Sequence, residues 1–232
     1  MRRDYTLRED TPRPSRAPGE GSGRTSNWPP ISEERRWTED FGISPVNSSC
    51  MAQTIDFLRA YDVISQARER LFDWIRPLSQ AQYTQAFPFG LRTLQTTMVE
   101  IAGTERWLAM RIREEPFPVP FSWDDWPISE TRCPTFADLE TAWRAQMPQT
   151  RATLAAIVDP GRIVENRMVG RQRVVTYRAA QGDIAMQLLM HEVHHRAQAM
   201  AMLRQLGVEA QDIDYIGFVQ TVRREPRAPQ IA

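Results

Sequence analysis

The sequence is short of several residue types and carries no excess of either charge. Lysine is absent, so arginine supplies every positive side chain, a bias that we interpret as codon usage in a GC-rich genome. Lys+Arg and Asp+Glu both total 29, whereas nucleic-acid-binding proteins usually show a basic excess. We therefore expect no nucleic-acid partner.

Cysteine is almost absent as well. The two cysteines, Cys50 and Cys133, are far apart in the chain, which is typical of a reducing compartment rather than of a disulfide scaffold. Two cysteines cannot form a Cys-rich zinc site. Any metal ion must therefore be bound by histidine, aspartate or glutamate side chains.

Long apolar runs are also missing. No stretch approaches the roughly 18 apolar residues of a membrane helix, and no apolar run follows the paired arginines Arg2 and Arg3. We therefore expect a cytoplasmic protein without a membrane partner. A length of 232 residues with 41% hydrophobic residues predicts one domain plus an appendage.

The appendage is the N-terminal segment, residues 1–50. It is rich in proline, serine, glycine, arginine and glutamate, and its apolar residues are too few to bury a face, which predicts a disordered extension. Met51 opens the first periodic segment, and our hypothesis is that translation starts there. The predicted domain spans residues 51–232.

The rest of the chain has the apolar periodicity of helices. Four long helices with one long crossover predict an all-α fold, a four-helix bundle, followed by a short C-terminal helix. The predicted helices cover about residues 54–76, 93–114, 135–158, 181–206 and 212–222.

Three features interrupt the helical pattern. Pro148 lies inside the third helix and is expected to kink or split it, because proline removes a hydrogen bond and clashes with the previous turn. Residues 162–177 are expected to be irregular or to form short hairpin-like strands, with a turn at Gly170. The loop over 116–134, rich in proline and aromatic residues, is expected to cover a core edge or the mouth of a pocket.

The most informative feature is a cluster of the only three histidines, His191, His194 and His195. On a helix, His191 and His195 lie one turn apart on one face, the spacing at which two imidazoles can bind one metal ion. Gln198 falls on the same face. The alternative is a pair of core histidines that bond to backbone or glutamine partners, but two of only three histidines at this spacing favour metal binding.

The same five residues, His191 to His195, spell the H-E-x-x-H pattern of zinc proteases. In that class Glu192 is the general base and a third ligand lies downstream. The usual ligand-bearing continuation is missing, because Gln198 and Ala201 stand at its positions. The strand signals before the helix are weak, so a zinc metalloprotease is the less favoured alternative.

Four short segments on the second predicted helix and around the histidines form a distinctive combination. They are Glu105-Arg106-Trp107, His195-Arg196-Ala197-Gln198, Leu203-Arg204-Gln205-Leu206-Gly207 and Asp212-Ile213-Asp214-Tyr215-Ile216. With these segments the chain resembles the DinB-like (YfiT-like) four-helix-bundle family over about residues 52–222. The resemblance implies a metal-binding bundle, often dimeric, with three histidine ligands that commonly bind zinc or nickel. It also implies that some relatives are thiol-dependent transferases or isomerases that use low-molecular-weight thiols.

The resemblance implies the ligands residue by residue. The last two family ligands correspond to His191 and His195, and the first usually lies seven residues before the aromatic that matches Trp107, where this chain has Glu100. Two histidines and one carboxylate also form the ligand set of non-haem iron oxygenases, and carboxylate suits zinc or manganese. The expected cofactor is therefore a divalent metal, zinc or nickel first and iron or manganese next. Glu105, nearer the apolar stripe, is the alternative ligand or an arginine partner.

The remaining candidates lie on the histidine helix. Glu192 is expected to orient a ligand or pair with an arginine, and His194 to have a surface role or contact a ligand. Arg196 and Arg204 match family positions and are expected to form ion pairs or to anchor an anionic co-substrate.

The sequence thus predicts a cytoplasmic, homodimeric, metal-dependent enzyme. Its expected reaction is that of a thiol-dependent S-transferase or isomerase acting on a small molecule. The alternative is a non-catalytic binding or structural module.

Overall fold

The computed structural model describes residues 55–171 and 174–222. The predicted disordered extension over 1–50 and the proposed start at Met51 lie outside the described residues. The mostly α-helical fold is confirmed, and the elements in chain order are α1 (Phe57–Ile75), α2 (Gln80–Tyr83), α3 (Leu94–Ile112), α4 (Phe136–Ala155), β1 (Ile163–Val169), β2 (Val174–Ala180), α5 (Gln181–Gln205) and α6 (Tyr215–Val219).

The helix ends follow local hydrogen-bonding chemistry. The Thr93 side chain accepts a hydrogen bond from the Thr96 backbone N–H at 2.9 Å and so caps α3. Thr135 and Asp138 form a capping box at the start of α4, each side chain accepting from the other's backbone N–H. Gly207, with φ +82°, follows α5 in the left-handed conformation that glycine adopts without strain.

Pro148 does not split α4, so of the two expected effects, a kink or a split, the split is wrong. The helix continues through Pro148, and both Pro148 and Arg144 are exposed, so the Arg144 carbonyl that lacks a helical donor lies on the solvent side. On the opposite face, the Thr150 hydroxyl donates to Glu105 at 2.8 Å and Gln146 donates to the Ala102 carbonyl at 3.2 Å. These buried contacts hold the helix on both sides of the proline.

The predicted strands form one antiparallel hairpin. β1 pairs with β2 in a register that runs from Ile163 opposite Ala180 to Val169 opposite Val174. The predicted turn at Gly170 falls in the connection, part of which lies outside the described residues. β2 ends where α5 begins, so the hairpin leads straight into the histidine helix.

The four long helices pack pairwise, α3 and α1 each contacting both α4 and α5. α3 and α5 run antiparallel: the Thr97 hydroxyl lies 3.9 Å from the Met202 sulfur at one end, and Gln181 donates to the Ile112 carbonyl at the other. The middle of α3 therefore faces the middle of α5, where the histidines lie.

The loop over 116–134 covers a core edge, as predicted. Its aromatic residues form a cluster with Met110 of α3 and Met168 of β1; the buried aromatic members are Phe117, Phe121 and Trp126. Within residues 55–171 and 174–222, no helix combines the length and apolar character needed to cross a membrane.

Candidate metal centre

Glu100, His191 and His195, hereafter the ligand group, come together between α3 and α5. Each offers one ligand atom, and these atoms all lie within 4.8 Å of one another. Oε1 of Glu100 is 3.7 Å from Nε2 of His191. Two atoms that both bind a tetrahedral ion at about 2.1 Å lie roughly 3.4 Å apart. Small side-chain rotations are therefore enough for all three groups to share one ion.

The ligand group is open on one side. The side chain of Glu100 is 28% exposed and that of His191 11%, whereas His195 is buried. The protein thus encloses the group at His195 and leaves it accessible at Glu100. A small molecule can approach a bound ion from the Glu100 side.

The electrostatics favour the protonation states that metal ligands need. Burial acts to raise the pKa of Glu100, but the close polar contact with His191 and the charges of His191 and His195 outweigh it, so the pKa is lowered. Burial, followed by the charge of His191, lowers the pKa of His195. An ionised carboxylate and a neutral imidazole are the forms that bind divalent ions.

Two residues outside the ligand group contact it directly. The Thr104 hydroxyl donates to Oε1 of Glu100 at 3.3 Å. Oε1 of Gln198 lies 3.1 Å from Nδ1 of His195, and Nε2 of Gln198 lies 2.9 Å from Nε2 of the exposed His194. Both residues therefore restrain the orientation of a ligand side chain.

Glu105 does not join the ligand group. It is 3% exposed in the core, where Arg68 donates to Oε2 at 2.9 Å and the Tyr61 hydroxyl to Oε1 at 2.9 Å. The Trp143 ring nitrogen and the Thr150 hydroxyl donate to it as well. Of the two roles expected for Glu105, the structure therefore places it in that of an arginine partner.

Glu192 also pairs with Arg68. Nε of Arg68 donates to Oε1 of Glu192 at 3.1 Å and Nη2 lies 2.5 Å from Oε2, while the Glu192 side chain is 4% exposed. A general base needs a carboxylate oxygen that can reach a water molecule, and both oxygens are engaged in the core. The geometry therefore does not provide the base of a zinc protease.

The family-position arginines do not contact the ligand group in the described part of the chain. Arg204 donates to the Ala210 carbonyl at 3.0 Å and to Asp212 at 2.8 Å, which attaches the segment after α5 to the helix. Arg196 is 6% exposed, and its pKa is lowered by burial despite the opposing charge of Glu192. For Arg204 the structure therefore shows the expected ion pair, with Asp212 as its partner.

Trp107 lies two helical turns beyond Glu100 on the same face of α3. Its ring is partly buried among the aromatic residues of the loop, and its nitrogen lies 3.4 Å from the Met168 sulfur. It therefore forms an apolar wall along the helix face that carries Glu100.

Three residues that contact the site or brace its helix had not been predicted. Thr104 lies one turn from Glu100, so helical spacing could have suggested it. Arg68 contacts Glu192 on α5, and Gly90, in the loop before α3, lies against the side chain of Gln198. Both reach the site region only through tertiary packing, and no local sequence signal points to them.

Side chains that project from two facing helices, as Glu100 does from α3 and the two histidines do from α5, are a common way for helical proteins to build a metal site. The DinB family model matches residues 51–227, and the chain belongs to the DinB family, whose members often bind metal ions. A comparison with curated proteins finds no match.

Proposed function

We propose that this protein is a metal-dependent enzyme in which Glu100, His191 and His195 bind one divalent ion. The observation that carries the proposal is the placement of three ligand atoms within 4.8 Å of one another between two packed helices. Zinc and nickel are the first candidates for the ion, and iron and manganese the next, because two imidazoles and one carboxylate suit all four.

The donor set leaves a dication one net positive charge and at least one open position in tetrahedral geometry. A bound ion of this kind lowers the pKa of a thiol or water that reaches it. Glu100 faces the accessible side, Thr104 holds its Oε1, and Gln198 restrains His195. These features support a small-molecule reaction in which a low-molecular-weight thiol is activated, as in an S-transferase or isomerase.

The proposal also covers the assembly state and the cellular location of the protein. The resemblance of the chain to DinB-like proteins supports a cytoplasmic homodimer. Light scattering coupled to size-exclusion chromatography gives the assembly state directly, and a monomer at micromolar concentration would contradict the dimer.

Elemental analysis of protein purified without an affinity tag tests the metal. We expect about one divalent ion per chain in the wild type and a loss of the ion in Glu100→Ala, with Glu209→Ala as a control far from the ligand group. A metal-free wild type whose melting temperature is also unchanged by chelation and by added zinc would overturn the proposal.

Thiol binding tests the chemistry. In the cobalt-substituted protein, glutathione should produce a sulfur-to-cobalt charge-transfer band, and Glu100→Ala should abolish it. No band at millimolar glutathione, with cobalt bound, would rule out thiol activation at this centre.

A second candidate is a structural metal that joins α3 to α5 without catalysis. This candidate is favoured because the ligands lie on two different helices. An ion bound by Glu100 and the two histidines would cross-link α3 and α5. A structural ion has a closed coordination shell, so cobalt would bind, raise the melting temperature and show no spectral response to thiols.

The zinc protease is tested by Glu192→Gln. A protease would lose its activity in this variant with its metal retained. In our proposal Glu192 only pairs with Arg68, so we expect an unchanged metal content and no peptidase activity in either protein.

A further inference from the structure

We propose that Gln198 is a positioning residue that fixes which ring nitrogen of His195 faces the metal, and that His194 and Gly90 fix the Gln198 amide. The consequence for metal affinity rests on the proposed function. The hydrogen-bonding chain itself concerns only the protein and can be tested without any ion.

The argument begins with the neutral imidazole, which has one N–H donor and one acceptor nitrogen. Oε1 of Gln198 can only accept, and it lies 3.1 Å from Nδ1 of His195. Nδ1 therefore carries the proton, and Nε2 keeps the lone pair that binds a metal ion. A rotated amide would present its NH2 group to Nδ1, move the proton to Nε2 and block the ligand nitrogen.

His194 determines which way the amide is turned. Nε2 of Gln198 lies 2.9 Å from Nε2 of His194, so the amide donates and the imidazole accepts. The chain His195–Gln198–His194 then has an acceptor opposite every donor. Rotating the amide would require both histidines to move their protons, so each contact stabilises the other.

The loop before α3 supports the amide from outside. Gly90 has φ +56°, and a Cβ atom at this position would lie 3.0 Å from Oε1 and 3.3 Å from Cδ of Gln198. Hydrogen bonds from Phe87 N to Arg92 O and from Arg92 N to Phe89 O close the loop. A Cβ atom at position 90 would therefore push the Gln198 side chain by a few tenths of an ångström, whereas glycine leaves room for the amide at the observed position.

We expect a mutation of Gln198 to act like the loss of any residue that hydrogen-bonds to a metal ligand. Such partners fix the tautomer and orientation of a ligating histidine, and their mutation costs about 10–100-fold in metal affinity. Gln198→Leu removes both contacts. Gln198→Glu keeps an acceptor for the Nδ1–H of His195 but loses the donor to His194.

The direct test is nitrogen NMR of metal-free, ¹⁵N-histidine-labelled protein at pH 8, with the ring signals assigned by the His194→Ala and His195→Gln variants. We expect a proton on Nδ1 of His195 in the wild type and in Gln198→Glu. We expect mixed tautomers in Gln198→Leu and in His194→Ala. Gln205→Leu, an exposed glutamine near the end of α5, is the control and should leave the tautomer unchanged.

Zinc affinity gives the second measurement. Gln198→Leu should weaken binding by about 10-fold or more, whereas Gln198→Glu and Gln205→Leu should bind within a few-fold of the wild type. A wild-type His195 with its proton on Nε2, or a tautomer that Gln198→Leu and His194→Ala both leave unchanged, would overturn the proposal.

The two proposals fail in different ways. If the tautomer follows Gln198 but no metal binds, the positioning role holds and the metal-dependent function fails. If metal binds with the wild-type affinity in Gln198→Leu, the function stands and the positioning role at the metal fails. His194→Ala is the independent variant that keeps the test decisive if Gln198→Leu does not fold.

Discussion

Oε1 of Glu100 lies 3.7 Å from Nε2 of His191, across the interface between α3 and α5. We expect Glu100→Ala to weaken zinc binding by more than about 100-fold. Mutating a residue that only hydrogen-bonds to a metal ligand already lowers metal affinity by about 10–100-fold, and the loss of a ligand should cost more. Glu100→His supplies a third imidazole at the same place and should retain binding. Calorimetric titration with zinc measures both, and a clear loss of binding in Glu100→His would contradict the ligand assignment.

The buried charge cluster predicts a large effect on stability. Arg68 is fully buried and pairs with Glu105 at 2.9 Å and Glu192 at 2.5 Å. Arg68→Met leaves both carboxylates without a counter-charge, which costs about 3–5 kcal/mol for a buried pair. The matched control is Arg76→Met, whose partly exposed ion pairs contribute about 0–1 kcal/mol. Urea unfolding measures the loss of unfolding free energy in each variant. Equal losses in Arg68→Met and Arg76→Met would show that Arg68 has no special role.

The Gly90 loop predicts a coupling between a backbone position and metal affinity. Gly90→Ala strains a residue at φ +56°, about 1–2 kcal/mol, and places a Cβ atom 3.0 Å from Oε1 of Gln198. Gly207→Ala is a matched control, because its φ is +82° but nothing lies within 4 Å of the added atom. Both variants should lose stability, and only Gly90→Ala should also lose zinc affinity. Equal affinities would show that the loop does not act on Gln198.

The lowered pKa of His195 predicts a pH dependence of the metal-free protein. Burial and the charge of His191 hold this pKa below the ordinary histidine value of 6.5, so the unfolded chain binds the proton more tightly. The free energy of unfolding should therefore fall as the pH drops below about 6.5. Glu100, which faces His195 from α3, has a lowered pKa too, but its effect appears below 4.5.

The control for this titration is His195→Gln. Its free energy of unfolding between pH 7 and 5 should vary less than that of the wild type, because His191 and His194 remain in both proteins. Parallel curves for the two proteins would contradict the assignment to His195.

Much of the fold followed from local patterns. The four long helices were predictable because their apolar residues recur at helical spacing and because Thr135 and Asp138 form a recognisable cap. That α4 would continue through Pro148 was not predictable, because the effect of a proline depends on tertiary contacts: Gln146 and Thr150 hold the helix to the core on either side of it.

The site was only partly predictable from the sequence. Helical spacing was enough to propose His191 and His195, whereas Glu100 required the resemblance to other proteins, since its own helix face is weakly apolar. Arg68 could not have been predicted as the partner of Glu105 and Glu192. Three helices must pack before these side chains meet, and nothing in the local sequence of α1 marks an arginine that will be buried.

The ligand group draws its members from α3 and α5, which are separated in the chain by α4 and the hairpin. An unfolded chain therefore has no such site, and an ion that binds it adds RT ln(1 + [M]/Kd) to the folding free energy, about 2.7 kcal/mol at one hundred times the Kd. If the ligand group binds its ion as we propose, metal supply and protein abundance are linked: in a metal-starved cell more of the chain would be unfolded and open to proteolysis, whatever reaction the folded protein performs.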